Sequence, residues 1–152
     1  MTLENQDDKL AGVCGLYCGN CIIYRIYHDN FTKAAEVLAK AFGIASEEIK
    51  CYGCRSSDSK SWSKDCYFKK CAEKRGIDFC YKCEKYPCPQ LLEFANAAEH
   101  RKVIFENNQR IREVGLRKWL EEQDKKWRCP VCKGKVSFYN VRCPHCGNTL
   151  KI

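Results

Sequence analysis

Cysteine constrains this chain more than any other feature. Fourteen of its 152 residues are Cys, roughly 9%, a density found chiefly in disulfide scaffolds and metal-binding proteins. Compartment decides between the two. The N-terminus, MTLENQDDKLAGVCGLYCGN, carries acids where a signal peptide has a basic patch and then an apolar run. No stretch reaches the roughly 18 apolar residues of a membrane span. The expected location is therefore cytoplasmic, where thiols stay reduced. Clustered reduced thiols are better explained as metal thiolates than as crosslinks.

The clearest pattern is C-terminal: Cys129-Pro-Val-Cys132, ten intervening residues, then Cys143-Pro-His-Cys146-Gly147. Each CxxC turn points two sulfurs at one ion, so two such knuckles joined by a hairpin predict a tetrahedral four-thiolate site. Val136 to Tyr139 reads as strand with Asn140 turning the chain, which predicts a short β zinc ribbon over residues 127–152. Its metal staples about 25 residues too few to fold alone. The same four ligands also suit iron, as in rubredoxin-like knuckles.

Ten further cysteines lie between residues 14 and 88. Cys14-x3-Cys18-x2-Cys21 resembles the radical S-adenosylmethionine cluster spacing, but the chain lacks the length and strand–helix alternation of those enzymes. Cys51-Tyr-Gly-Cys54 resembles a thioredoxin-type pair, yet the polar loop Arg55–Ser63 follows it where such a pair needs a helix. The third group is Cys66-x4-Cys71-x8-Cys80-x2-Cys83-x4-Cys88. Together the ten suffice for two four-cysteine sites with two thiols over. The 51/54 and 80/83 units are the favoured ligand pairs, and spacing leaves the other pairings open.

Helical periodicity marks residues 30–43, with Asn30 placed to cap the start and Gly43 to end it. Ser46-Glu47-Glu48 starts a short helical turn. Asp65 can cap a helix ending at Gly76, Pro89 suits a first helical position, and residues 100–126 read as helix broken or kinked at Gly115. These aliphatic and aromatic stripes are core.

Charge is uneven. Residues 1–99 balance to zero, and the whole formal +8 lies in residues 100–152. Three four-thiolate zinc sites would each add −2, lowering the total to about +2. Glu106, Glu113, Glu121 and Glu122 each precede a base by four residues (Arg110, Arg117, Lys125, Lys126), so helix-surface pairing is expected to absorb part of the remainder. Of the histidines, His145 is expected to be exposed, His28 could complete a metal site, and His100 has no evident partner. Nothing nominates a catalytic constellation.

The segments CGLYCGNCIIY (14–24), CYGC (51–54) and CYFKKCAEKRGIDFCYKCEKYPCPQL (66–91) resemble the uncharacterised domain of unknown function 3795. The tail GLRKWLEEQDKKWRCPVC, with the later CPHCG, is similar as well. This resemblance implies a cysteine-rich zinc-binding fold and no activity, since the family has no assigned reaction or substrate.

The sequence thus predicts a mostly α, metal-stapled cysteine-rich domain over residues 1–126 and a β zinc ribbon over 127–152. Two to three zinc ions are expected, with iron or an iron–sulfur cluster as the alternative. Function reads as an interaction or adaptor module contacting protein or nucleic acid through the basic C-terminal third. The competing class is a redox protein built on iron–sulfur or spare thiols.

Overall fold

A computed structural model describes residues 6–150. Its helices are α1 (Ile22–His28), α2 (Thr32–Phe42), α3 (Tyr67–Arg75), α4 (Pro89–Asn96), α5 (Ile104–Val114) and α6 (Leu116–Lys126). Short 3-10 turns at Gln6–Leu10, Cys18–Asn20, Ser46–Glu48, Cys80–Lys82 and Glu99–Arg101 connect them. Mostly α therefore holds.

The helix ends follow backbone chemistry. α2 and α3 stop at Gly43 (φ 70) and Gly76 (φ 67), left-handed positions where a Cβ is penalised. Pro89 opens α4, where its missing N–H has no intrahelical partner to lose. Gly115, at φ 88 and ψ 159, separates α5 from α6 completely. Two expected caps differ. Asn30 sits at φ 57 in the tight reversal between α1 and α2, leaving Phe31 as the residue before α2. Asp65 lies one residue too early: Cys66 precedes α3, and the Asp65 carboxylate faces Lys70 at 3.8 Å.

The expected β ribbon does not form. No β-strand occurs among the described residues, and the C-terminal segment carries only the isolated bridges Arg128–Lys135 and Arg142–Thr149. The amides of 136–138 are committed elsewhere. Val136 N–H donates to the Trp127 carbonyl (3.1 Å) and Phe138 N–H to that of Asn20 (2.9 Å). Ser137 gives both its N–H (2.7 Å) and its hydroxyl (2.9 Å) to Asn140 Oδ1. A ladder needs these groups in alternating cross-strand pairs; here Ser137 closes a local turn onto Asn140, while Val136 and Phe138 are tied singly to Trp127 and to the distant Asn20.

Burial is divided among small cores. Val13, Cys14, Phe68, Ala72, Leu91, Ala95 and Ile104 form one, joining α3, α4 and the start of α5. Ala11, Tyr17, Phe79, Ile111, Trp119 and Leu120 form the second, under α5 and α6. Ile23, Ile26, Ala39, Ile49 and Cys51 form the third, beneath α1 and α2. Arg55 links the segments: Nε donates to Ala11 O (2.7 Å), Nη2 to Asp78 O (2.8 Å), and the guanidinium lies 4.6 Å over the Phe79 ring. Cysteines populate the first and third cores and their margins, and Cys129 and Cys143 make a small fourth core with Val136, so the fold places sulfur where larger domains place Leu.

Candidate metal centre

The two C-terminal knuckles repeat one backbone conformation. Lys133 N–H donates to Cys129 O and Gly147 N–H to Cys143 O, both at 2.9 Å, and Lys133 (φ 65) and Gly147 (φ 79) are both left-handed. Cys129 N–H to Gly134 O (2.9 Å) and Cys143 N–H to Asn148 O (2.8 Å) close the turns. The sulfurs of Cys129, Cys132, Cys143 and Cys146 consequently lie within 4.8 Å of one another. Cys129 approaches Cys146, and Cys132 approaches Cys143, each at 3.6 Å.

Backbone amides are already turned toward these sulfurs. Val131 N–H points at Cys129, Gly134 N–H at Cys132 and His145 N–H at Cys143, all at 3.4 Å. Amides directed at sulfur favour thiolate. The Cys129 thiol is held down to about 6, first by the Cys132 amide and also by that of Val131. Cys146 goes the other way, to about 11: the Asn148 amide lowers it, but burial and the three neighbouring thiols outweigh that. Gly134 has no room for a side chain, because a Cβ would come within 2.5 Å of the His145 ring. His145 is exposed as expected but not idle. Its Nε2 donates to Lys135 O (2.9 Å), and its ring packs 5.3 Å from Phe31.

The ten other cysteines gather in neighbourhoods without that closeness; among the described residues no other set of three or more ligating side chains meets it. Around the Cys51 knuckle, Gly53 N–H donates to Cys51 Sγ (3.3 Å), the same amide-to-sulfur step as at Cys129. Cys54 N–H donates to Cys18 Sγ (3.4 Å) across 36 residues of chain. Cys21 stands close enough to Cys54 and Cys51 for their charges to raise it, after burial, to about 11. Cys14 and Cys54 are pushed up strongly too, Cys14 by burial and Cys54 by its bond to the Cys18 thiol and then burial. Cys80 rises to about 12 through burial and the charges of Cys88, Cys71, Cys66 and Cys83. Cys71, Cys80, Cys83 and Cys88 line one cavity. None of the fourteen is in a disulfide.

Several supporting residues carried no sequence signal. Ser61 and Ser63, inside the apparent polar loop, are buried. Ser61 Oγ accepts from Tyr52 N–H (3.1 Å) and donates to Cys51 Sγ (3.7 Å), while Ser63 Oγ donates to Gly53 O (2.8 Å). A serine cluster close behind CxxC was the available clue. His28 donates Nε2–H to Cys51 O (3.1 Å) and stacks on Tyr24 at 3.9 Å, backing the knuckle from its carbonyl side. His100 does have partners: Tyr139 Oη at 2.8 Å and the Phe138 ring. Asn107 and Asn108, buried on α5, donate to Gly15 O (2.9 Å) and Cys14 O (3.0 Å).

The basic C-terminal third is paired differently from the i,i+4 expectation. Arg110 forks onto Glu122 (2.6 and 3.0 Å) and reaches Glu113 (3.5 Å), because α5 and α6 fold back on one another. Arg117 faces Asp8, and Arg128 and Lys135 share Asp124.

Fold and site together define a cysteine-rich helical protein with a preassembled four-thiol cluster able to hold one metal ion. Residues 10–93, more than half of the chain, match the family described as Protein of unknown function (DUF3795), and the chain belongs to it. The match ends before the four-thiol cluster. No curated protein and no solved structure matches the chain.

Proposed function

We propose that this chain is a zinc-stapled interaction module, with Cys129, Cys132, Cys143 and Cys146 holding one zinc as a structural ion. The observation that carries this is the four sulfurs within 4.8 Å, three of them facing a backbone amide at 3.4 Å. Four thiolates fill a tetrahedral ion's coordination and leave no position for substrate water, so the site staples rather than catalyses. Among the described residues 127–150, only Cys129, Val136, Ser137 and Cys143 are buried, too little apolar surface to fold without metal. That supports reading them as a distinct unit after a 1–126 domain. The thiols at 14–88 serve as ligands for one or two further ions, and reduced cysteines at this density suit the cytoplasm. No helix among the described residues is long and apolar enough to cross a membrane.

Of the partner classes, the surface favours protein. Arg110, Arg117, Arg128 and Lys135 already face carboxylates, which reduces the charge offered to phosphates. Val131 (66% exposed), Val141 (73%) and Tyr139 (47%) give the knuckle end an apolar aspect. The test is native mass spectrometry of the full chain with elemental analysis. Cys132→Ser should retain one zinc fewer than the native chain. A Cys132→Ser chain with undiminished zinc would sink the assignment.

A further inference from the structure

We infer that the cavity between α3, the Cys80–Lys82 turn and the start of α4 is a cofactor site, in which Cys71, Cys80, Cys83 and Cys88 ligate a four-iron iron–sulfur cluster. Three elements deliver these thiols. Cys71 projects from the middle of α3. Cys80 and Cys83 bracket a 3-10 turn closed by Cys83 N–H to Cys80 O at 3.0 Å. Cys88 is the residue before α4, beside that helix's unpaired N–H groups.

Spacing distinguishes this site from the C-terminal one. Four sulfurs sharing a single zinc at about 2.3 Å stand about 3.8 Å apart, the edge of a small tetrahedron. The 129–146 set is built that way, with contacts of 3.6 Å. Here the four thiols instead line a cavity of about 120 Å³ and, unlike the C-terminal four, are not drawn within 4.8 Å of one another. In a four-iron cluster each cysteine binds a different iron, so the sulfurs stand around the cluster rather than against one another.

The walls suit such a group. Phe68, Ala72 and Leu91 are buried and line the cavity with Ile77 and Tyr86, and a dry apolar wall protects iron and sulfide from water. Four thiolates around a 2+ cluster leave a charge of about −2. Arg75, in hydrogen-bond reach of Cys71, and Lys85 both line the cavity and oppose it. Cys66, which precedes α3, packs against the same core but does not line the cavity, so the cluster's ligands are assigned to the four lining thiols.

The experiment is iron, zinc and acid-labile sulfide analysis with a visible spectrum, on full chain purified anaerobically. About four irons and four sulfides per chain, with broad absorbance that dithionite bleaches, are expected beside one zinc. Cys83→Ser and Cys88→Ser should lose iron, sulfide and colour together, while Cys66→Ser keeps all three. Cys132→Ser should lose zinc and keep the colour, which separates this site from the zinc reading. A colourless native chain without sulfide overturns the proposal regardless of how the variants fold. So does colour that survives in both Cys83→Ser and Cys88→Ser. Iron without sulfide that Cys132→Ser removes would place iron in the C-terminal knuckles, failing both readings at once.

Discussion

Gly15 offers the most direct test of how the first cysteine loop is held. Its φ of +108 lies where L side chains are penalised, and a Cβ there would stand 2.6 Å from Asn108 Oδ1 and 2.9 Å from Cγ and Nδ2. Asn108 cannot swing away. It is fully buried, and its Nδ2 donates to Cys14 O (3.0 Å) and Tyr86 Oη (3.3 Å). Gly15→Ala therefore carries two penalties. The backbone conformation costs about 1–2 kcal/mol for a residue with a Cβ. Displacing the amide leaves the Cys14 carbonyl buried and unpaired, about 1–3 kcal/mol more. The combined loss is about 2–5 kcal/mol, a large share of the roughly 5–15 kcal/mol that holds a domain folded. Gly76→Ala is the control, because Gly76 shares a positive φ (+67) but a Cβ there meets nothing within 4 Å. It should cost about 1 kcal/mol. Urea titration followed by tryptophan fluorescence measures both. Equal destabilisation by the two substitutions would refute the claim that Asn108 clamps the loop. In an Asn108→Ala background the penalty of Gly15→Ala should shrink toward that of the control.

Three further outcomes are expected. Lys133 occupies, at φ 65, the position that Gly147 occupies at φ 79 in the sister knuckle; Lys133→Gly should stabilise the zinc-loaded chain by about 1 kcal/mol, read as a higher thermal midpoint. Ser61→Ala removes the acceptor for Tyr52 N–H and the donor to Cys51 Sγ; it should cost about 1–3 kcal/mol and speed modification of Cys51 by a thiol reagent, and unchanged reactivity would count against the serine support. Burial depresses His28 and His100, with Arg101 adding to the effect at His100. A depressed histidine releases its proton on folding, so its stabilisation is complete above the ordinary value of about 6.5 and declines as pH falls below it. Thermal midpoints measured between neutral and mildly acidic pH should fall accordingly, and His100→Gln should flatten part of that slope.

What the sequence made legible was set by local rules. Gly43, Gly76, Pro89 and Gly115 act through the conformation of their own residue, and all four end or open helices where the sequence places them. The C-terminal knuckles were legible for the same reason, since CxxC fixes two sulfurs within one turn and the structure brings both pairs together. Long-range choices were hidden. Val136 to Tyr139 has strand composition, but whether it forms a ladder depends on partners; Trp127, Asn20 and Asn140 take its hydrogen bonds instead. His100 looked unpartnered because Tyr139 lies 39 residues away. Cys71 comes from α3 and Cys88 from the residue before α4, and only packing of α3 against α4 sends them to one cavity.

That same dependence on packing changes the meaning of the basic helices. Read along the chain, residues 104–126 are a charged surface with bases to offer a partner. In the fold, α5 is an internal frame. Asn107 and Asn108 hold the Cys14–Gly15 carbonyls, Arg112 donates to Tyr81 O at 2.9 Å inside the Cys80–Lys82 turn, and Arg110 binds α6 through Glu122. Just before α5, His100 holds Tyr139 of the C-terminal segment. One helix thus touches the first cysteine loop, the turn carrying Cys80, and α6 leading to the knuckles. Charge on such a helix is structural: Arg112 is oriented by the Cys80–Lys82 turn and Arg110 by α6, so replacing Arg112 should loosen that turn, and replacing Arg110 the α5–α6 contact, before either alters binding to any polyanion.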